Sequence, residues 1–114
     1  MKIEGEGKLV RIFVGESDRW EDRPLYEAIV HRVHEMGGAG VTVLRGIEGF
    51  GAHSRIHTAR ILRLSQDLPI VIEIVDSVER IDTLLTQIDP MIDEGLITIE
   101  RVHILKYAPG KERE

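Results

Sequence analysis

The sequence predicts an α+β domain in which strands and helices follow the order βαββαβ. Two segments show the apolar period of amphipathic helices, and four β-branched segments flank them. No helix long enough to bridge parallel strands separates the two middle strands, so a doubly wound parallel sheet is disfavoured. The 114 residues, 42% hydrophobic and 31% charged, suit one domain spanning residues 1–114. We therefore expect a four-stranded antiparallel sheet with two helices on one face, the ferredoxin-like arrangement.

The first half of the chain predicts one strand and one helix. Residues 8–15 are β-branched and apolar and form the first strand, whereas the polar residues 16–23 predict a loop. Asp22 and Pro24 indicate the helix start, because proline fits a first turn where its missing N–H is not needed. The glycine pair at 37–38 ends the helix. Its apolar stripe consists of Leu25, Ile29, Val33 and Met36, widened by Tyr26 and Val30.

The second half predicts two more strands and a second helix. Residues 41–44 form the second strand, and residues 69–75 form a third strand that is apolar enough for burial on both faces. Asp76 and Glu79 have the spacing of a capping box, which predicts the start of the second helix. That helix is expected to end at Gly95. Its apolar positions are Val78, Ile81, Leu84, Leu85, Ile88 and Ile92.

The last strand completes the predicted sheet, and the pattern of the first strand indicates that both faces of the sheet are apolar. Residues 96–105 form the last strand, and residues 108–114 form a charged tail that we expect to be frayed. In the first strand, Val10, Ile12 and Val14 alternate with Leu9, Arg11 and Phe13, so apolar side chains lie on both faces. Two helices cover only one face, and the exposed apolar side chains of the other face predict an oligomer.

Composition excludes several classes of protein. The absence of cysteine rules out zinc ribbons, thiol redox centres, cysteine nucleophiles and disulfide scaffolds. A net charge of -5 does not favour binding to nucleic acid or anionic lipid. No apolar run approaches the roughly 18 residues of a membrane span, and the polar start has no signal-peptide core. We therefore expect a cytoplasmic protein. The absence of asparagine beside abundant charge is typical of thermophile proteins.

The sequence contains no convincing catalytic motif. None of the serines lies in a Gly-x-Ser-x-Gly elbow, and no pair of carboxylates is marked by its surroundings as an acid–base couple. We therefore expect a protein that is not an enzyme.

Two histidine pairs have spacings that suit a transition metal. His31 and His34 are three residues apart on the first helix, and His53 and His57 are four apart in the following long segment. Only Glu35 stands near as a third ligand, so solvated side chains are the favoured interpretation. His103, in the last strand, is interpreted as a surface or interface residue.

The longest irregular segment, residues 46–68, is the strongest functional signal. It opens with the glycine-rich residues 46–51, whose amides can form an anion-binding nest, although a simple hinge is equally consistent. A helical-looking patch occurs at residues 59–64. An irregular segment of this length indicates function or disorder. Basic side chains favour a phosphate or an acidic partner, with a solvated arginine face as the alternative; they are His53, Arg55, His57, Arg60 and Arg63.

The motifs along residues 8–107 resemble the PII signalling proteins. The resemblance rests on residues 40–43 (GVTV), 49–51 (GFG), 68–69 (LP), 72–75 (IEIV) and 101–102 (RV). Residues 62–73 (LRLSQDLPIVIE) are more closely similar to a bacterial PII-like family of unknown function, some of whose members are encoded beside, or fused to, CrcB-type fluoride channels.

The resemblance implies a homotrimer whose sheets line a central core. An adenine nucleotide would lie in the cleft between neighbouring subunits, and the long loop would reach a protein target. The implied partner includes a membrane transporter or channel. The implied nucleotide-binding residues are Gly40 and Thr42 near the base, Gly49, Phe50 and Gly51 at the start of the loop, Ile74 and Val75 in the cleft wall, Gly95 in a phosphate-binding turn, and Arg101 and Lys106 as cations.

Departures from the PII pattern refine these expectations. The turn around Gly95 is short and has no lysine, which predicts ADP or AMP as the effector rather than a triphosphate. The loop lacks a tyrosine, so uridylylation is not expected, and residues 46–48 are an insertion before Gly49. Two alternatives stay open: a divalent-metal-binding trimer similar to the CutA group, and an accessory subunit of a membrane transporter that binds no small ligand.

Overall fold

The computed structural model describes residues 3–49, 57–58 and 68–110. Four strands form the main sheet, in the order β4 (Thr42–Arg45), β7 (Pro69–Ser77), β1 (Gly5–Gly15) and β8 (Leu96–Ile104), and each neighbouring pair is antiparallel. The predicted ferredoxin-like α+β fold is confirmed. The elements are β1 (Gly5–Gly15), β2 (Arg19–Trp20), β3 (Arg23–Pro24), α1 (Leu25–Glu35), β4 (Thr42–Arg45), β5 (Glu48–Gly49), β6 (His57–Thr58), β7 (Pro69–Ser77), α2 (Val78–Ile88), a 3-10 turn (Asp89–Met91) and β8 (Leu96–Ile104).

The hydrophobic core lies between one face of the sheet and the two helices. Alternate residues of β1 and β7 point into it, and each helix contributes the stripe predicted from its apolar period. The side chains that are no more than 2% exposed include Val10, Ile12, Ile29, Val33, Ile70, Ile72, Ile74, Ile81, Leu84 and Ile88. This packing fixes which face of each strand is covered by helices.

The opposite face of the sheet carries apolar side chains around a central ion-pair cluster. The Arg11 Nε donates to Glu73 Oε2 at 2.9 Å, and the guanidinium also contacts Glu100. These hydrogen bonds, first to Glu73 and then to Glu100, raise the pKa of Arg11 above its ordinary value. The exposed fractions of Leu44, Val75 and Leu96 around the cluster are 48%, 42% and 56%. We call this surface the open face, and its apolar exposure is the feature that the alternation in β1 predicts.

The start of α2 differs from the prediction. The prediction of a capping box at Asp76 and Glu79 is wrong, because Ser77 is the N-cap and its Oγ accepts from the amide of Arg80 at 3.3 Å. Asp76 is fully buried and accepts instead from the amides of Ala39 and Ser77, each at 2.8 Å. The Asp76 carboxylate therefore binds the amide of Ala39, which is distant in sequence, and Ser77 caps the helix instead.

Several predicted boundaries also shift. β1 begins three residues earlier than predicted, and β4 is displaced by one residue, to Thr42–Arg45. The helix predicted to reach Gly95 ends at Ile88, because Pro90 has no amide for a helical hydrogen bond and a 3-10 turn follows. The segment predicted as a loop at 16–23 contains the short β2–β3 hairpin. α1 begins at Leu25, with Pro24 at the N-cap and without a side-chain cap.

The helices in the described residues are too short or too polar to cross a membrane.

Replacement of Asp76 tests how the connection between α1 and β4 is held. Asp76→Ala removes the acceptor of two amides and the partner of Arg80, whose Nε lies 3.4 Å away. We expect the free energy of unfolding to fall by about 2–4 kcal/mol, because buried donors lose their acceptor. Asp82→Ala is the control, since its carboxylate is 58% exposed in a pair with Lys8, and it should cost less than about 1 kcal/mol. Urea denaturation at fixed protomer concentration measures both, and equal effects would contradict this role.

Candidate functional site

Three ends of strands meet where the long loop leaves the sheet. β1 ends at Gly15 opposite Pro69, the first residue of β7, and β4 ends at Arg45 opposite Ile70. Beyond the strands, the amide of Glu16 donates to the carbonyl of Leu68 at 2.9 Å. On the other side, the amide of Gly46 donates to the carbonyl of Pro69 at 2.7 Å. We call Glu16, Arg45, Gly46, Gly49 and residues 68–69 the loop root.

Two glycines of the loop root pack closely against Pro69. A Cβ at Gly46 would lie 2.8 Å from Cγ of Pro69, and a Cβ at Gly49 would lie 3.0 Å from the same atom. Gly49 is half-buried in β5, which pairs with β6. The loop therefore starts and returns close to Pro69. Phe50 and Gly51, predicted to bind nucleotide, lie outside the described residues, as does the helical patch predicted at 59–64.

Glu16 belongs to this site, although the sequence analysis did not single it out. Its carboxylate oxygen Oε2 pairs with the guanidinium of Arg45, and its side chain is only 16% exposed. Because β7 lies between β1 and β4 in the sheet, this pair bridges across the start of β7. The second oxygen, Oε1, is buried and has no hydrogen-bond partner among the described residues. The only signal in the sequence was a carboxylate next to a glycine at a strand end, and it was hidden in a polar run.

Gly95 lies at the same end of the sheet, immediately before β8. A Cβ there would approach the carbonyl oxygen of Phe13 to 2.7 Å, so the turn packs directly against the backbone of β1. The turn and the loop root therefore share one end of the sheet, which we call the loop end.

The remaining predicted residues lie toward the opposite end, which we call the tail end. Gly40 and Thr42 are exposed at the start of β4, and Arg101 and Lys106 are exposed in and after β8. Arg101 is 3.8 Å from a carboxylate oxygen of Glu6. Along β8, Arg101 lies five positions after Leu96, which corresponds to about 17 Å at the rise of an antiparallel strand.

The two residues predicted to form the cleft wall differ in accessibility. Ile74 is 1% exposed and packs in the core, so its side chain is not available to a ligand. Val75 points to the open face and is 42% exposed. β4 pairs with β7 only as far as Glu73, so Ile74 and Val75 continue beyond the end of that pairing, toward Gly40.

The segment between α1 and β4 is fixed at the tail end by three contacts. Ala39 donates its amide to Asp76, and its carbonyl accepts from the hydroxyl of Tyr107 at 3.0 Å. The carbonyl of Gly37 accepts from Arg80 NH1 at 2.6 Å. The backbone leading to Gly40 and Thr42 is therefore held rigidly against the start of α2.

The predicted metal alternative concerns two pairs of histidines. Within the described residues, no group of three or more histidine or carboxylate side chains could hold a metal ion. His31 and His34 are exposed on α1, and His103 is exposed on β8 as predicted. His53 lies outside the described residues, and His57 is described only by its backbone pairing in β6.

A cleft elsewhere on the protomer is too small for a nucleotide. It lies between α1 and the β2–β3 hairpin, is lined by Trp20, Arg23 and His31 among others, and has a volume of about 120 Å³. Pockets for ligands of drug size measure about 300–1,000 Å³. The two ends of the sheet are therefore better candidates for a nucleotide site than this cleft.

The sheet and its two helices place the chain among PII-like folds. The structure is similar to CPII, a nitrogen regulatory PII-like protein from Thiomonas intermedia K12 bound to ADP, AMP and bicarbonate, with a TM-score of 0.67 and 17% identity over 87% of this chain and 88% of that one. It is also similar to CutA from Synechococcus elongatus PCC7942 complexed with Bis-Tris, with a TM-score of 0.59 and 14% identity over 96% and 90% of the two chains. At such identities these similarities establish the fold.

The family follows from the sequence. The chain belongs to the DUF190 family, described as "Uncharacterized ACR", whose model matches residues 7–104. A UPF0166 protein of Aquifex aeolicus is 38% identical over 98 residues, which cover 86% of this chain and 92% of that protein.

Alanine substitutions at Gly95 and Gly40 test whether close packing requires glycine at the turn before β8. Gly95→Ala places its methyl group against the Phe13 carbonyl, so we expect the free energy of unfolding to fall by about 1–3 kcal/mol. Gly40→Ala is the matched control, because a Cβ at Gly40 meets no atom within 4 Å. It should leave stability unchanged or raise it by up to about 1 kcal/mol. Urea unfolding of both variants measures the difference, and a Gly95→Ala protein as stable as the control would contradict the close packing.

Proposed function

We propose that this protein is a regulator, not an enzyme, that binds ADP or AMP between the subunits of a homotrimer and signals through residues 46–68. The observation that carries the proposal is the division of the predicted binding residues between the two ends of the sheet. A site that uses both groups takes the loop end from one subunit and the tail end from its neighbour. The fold similarity to CPII, which binds ADP and AMP, supports the same ligand class.

The chemistry of the two ends suits the two parts of a nucleotide. Amides of the glycine-rich loop end can donate to the base or to phosphate oxygens. The turn at Gly95 has no lysine, and two carboxylates, Asp93 and Glu94, precede it. Arg101 and Lys106 at the tail end of the neighbour supply cations. With no lysine in the turn, this arrangement favours a mono- or diphosphate over a triphosphate.

The open face supports the trimer. Apolar side chains 42–56% exposed around Arg11 are the kind of surface that subunits bury against one another. Because these side chains are already about half buried, completing the burial of each contributes roughly half of the 1.5–3 kcal/mol that a fully exposed side chain would gain. In the trimer, the long loops would extend from the loop ends toward a protein partner, which the resemblance to PII-like proteins implies is a membrane transporter or channel. Nucleotide binding changes that partner's affinity through the contacts it makes with the loop.

Direct binding tests the ligand. We expect ADP and AMP to release or absorb heat in titration calorimetry and to raise the midpoint of thermal unfolding, because a ligand at 100 times its Kd stabilises by about 2.7 kcal/mol. ATP should bind more weakly than ADP, and Zn(II) or Cu(II) should produce no comparable shift. No heat and no shift with either nucleotide at millimolar concentration would overturn the proposal.

Mixing of two binding-defective variants tests whether the site is shared. Gly49→Asp puts a negative charge at the loop end, and Arg101→Glu reverses a charge at the tail end, so each variant alone should lose ADP binding. After the subunits are unfolded together at equal amounts and refolded, about one quarter of the sites should combine two intact ends and bind ADP, as expected for random assembly.

Two observations complete this experiment. Light scattering of each variant and of the mixture should give three times the 12.9 kDa of one chain. A mixture that recovers no ADP binding, while both variants keep that mass, would show that the site lies within one subunit.

A further inference from the structure

Glu16 has a buried carboxylate oxygen whose role the fold does not explain. Oε2 is bonded to Arg45, whereas Oε1 is shielded from solvent and has no hydrogen-bond partner in the part of the chain that the structure describes. A buried acceptor left without a donor destabilises the folded protein, and a charged acceptor does so more strongly. A hydrogen-bond donor that reaches Oε1 removes this destabilisation, so its binding is favoured.

The position of Glu16 indicates which part of a ligand that donor belongs to. The residue lies at the loop root, where its amide is fixed by Leu68 and its carboxylate by Arg45. A carboxylate repels phosphate oxygens but accepts from hydroxyl and amino groups. A nucleoside offers such donors in its ribose hydroxyls and in the exocyclic amine of adenine.

We propose that Glu16 determines nucleoside specificity by accepting a hydrogen bond at Oε1 from an O–H or N–H donor of the bound nucleoside. This inference rests on the proposed function. Arg45 is the positioning residue, because its guanidinium holds Oε2 and leaves Oε1 free to accept. Since Oε1 is covered in the described structure, the donor reaches it only when the loop root shifts. Recognition of the nucleoside is thereby coupled to the start of the signalling loop.

Glu16→Gln provides a sharp test because of Arg45. Arg45 can only donate, so the glutamine must turn its carbonyl oxygen toward Arg45 and place its NH₂ group where Oε1 was. The substitution thus converts the acceptor into a donor without changing size or removing the contact with Arg45. Glu48→Gln is the matched control, because Glu48 is an exposed carboxylate at the same end and loses the same charge.

Three ligands distinguish the two possible donors. Calorimetry measures the affinity of each protein for three ligands. They are ADP, its dideoxy analogue, which lacks the 2′- and 3′-hydroxyls, and inosine diphosphate, which lacks the exocyclic amine. We expect Glu16→Gln to weaken ADP binding 10-fold or more. If the ribose donates, the dideoxy analogue should bind equally to wild type and variant. If the amine donates, the variant should prefer inosine diphosphate, whose oxygen accepts from the new NH₂ group.

The outcomes separate this inference from the proposed function. Wild-type protein that binds neither ADP nor AMP overturns both. Wild-type binding with unchanged ADP affinity in Glu16→Gln overturns the role of Glu16 alone. An equal loss for all three ligands in Glu16→Gln overturns it as well, because a merely structural carboxylate would weaken every ligand alike. Should Glu16→Gln fold poorly, Arg45→Met, which releases Oε2, should reduce the discrimination between ADP and the analogues.

Discussion

The antiparallel pairing of β1 with β7 is the interaction on which the other features depend. Its register runs without interruption from Gly7 opposite Ser77 to Gly15 opposite Pro69. One face of the pair supplies the most buried side chains of the core, and the other supplies the centre of the open face. The same register brings the end of β1 to the start of β7, so the long loop returns to the sheet beside Glu16. Core, loop root and open face are thus positioned by one ladder of hydrogen bonds.

The sequence predicted this architecture because the signals for it are local. Alternation in β1, the apolar run of β7 and the helical periods do not depend on distant contacts. The errors occur where a distant contact decides. Asp76 has the sequence pattern of a cap, but the amide of Ala39, 37 residues away, binds its carboxylate and Ser77 becomes the cap instead. Such a choice between two adjacent polar residues is not encoded within the helix itself.

The candidate site was predictable only in part, for the same reason. Glycines such as Gly49 and Gly95 are visible as motifs, and the resemblance to PII proteins assigned them to a ligand. Their packing against Pro69 and Phe13 shows that close approach within the protomer also favours glycine there. Glu16 could not be singled out, because its importance comes from a partner on β4 and from an oxygen that the fold leaves unpaired. Pairing between strands distant in sequence creates both properties.

The ion-pair cluster on the open face limits how copies of the chain can pack. Arg11 is already bonded to Glu73 and Glu100 within one protomer, so its charge needs no partner from a neighbour. Burial of a paired cluster contributes little stability compared with apolar contacts, but a misplaced neighbour that broke the pairs would leave charges buried and unpaired. In the proposed trimer, the exposed leucine and valine side chains would therefore drive assembly, whereas the cluster would select its register. A fixed register would allow the loop end of one subunit and the tail end of another to form the proposed site.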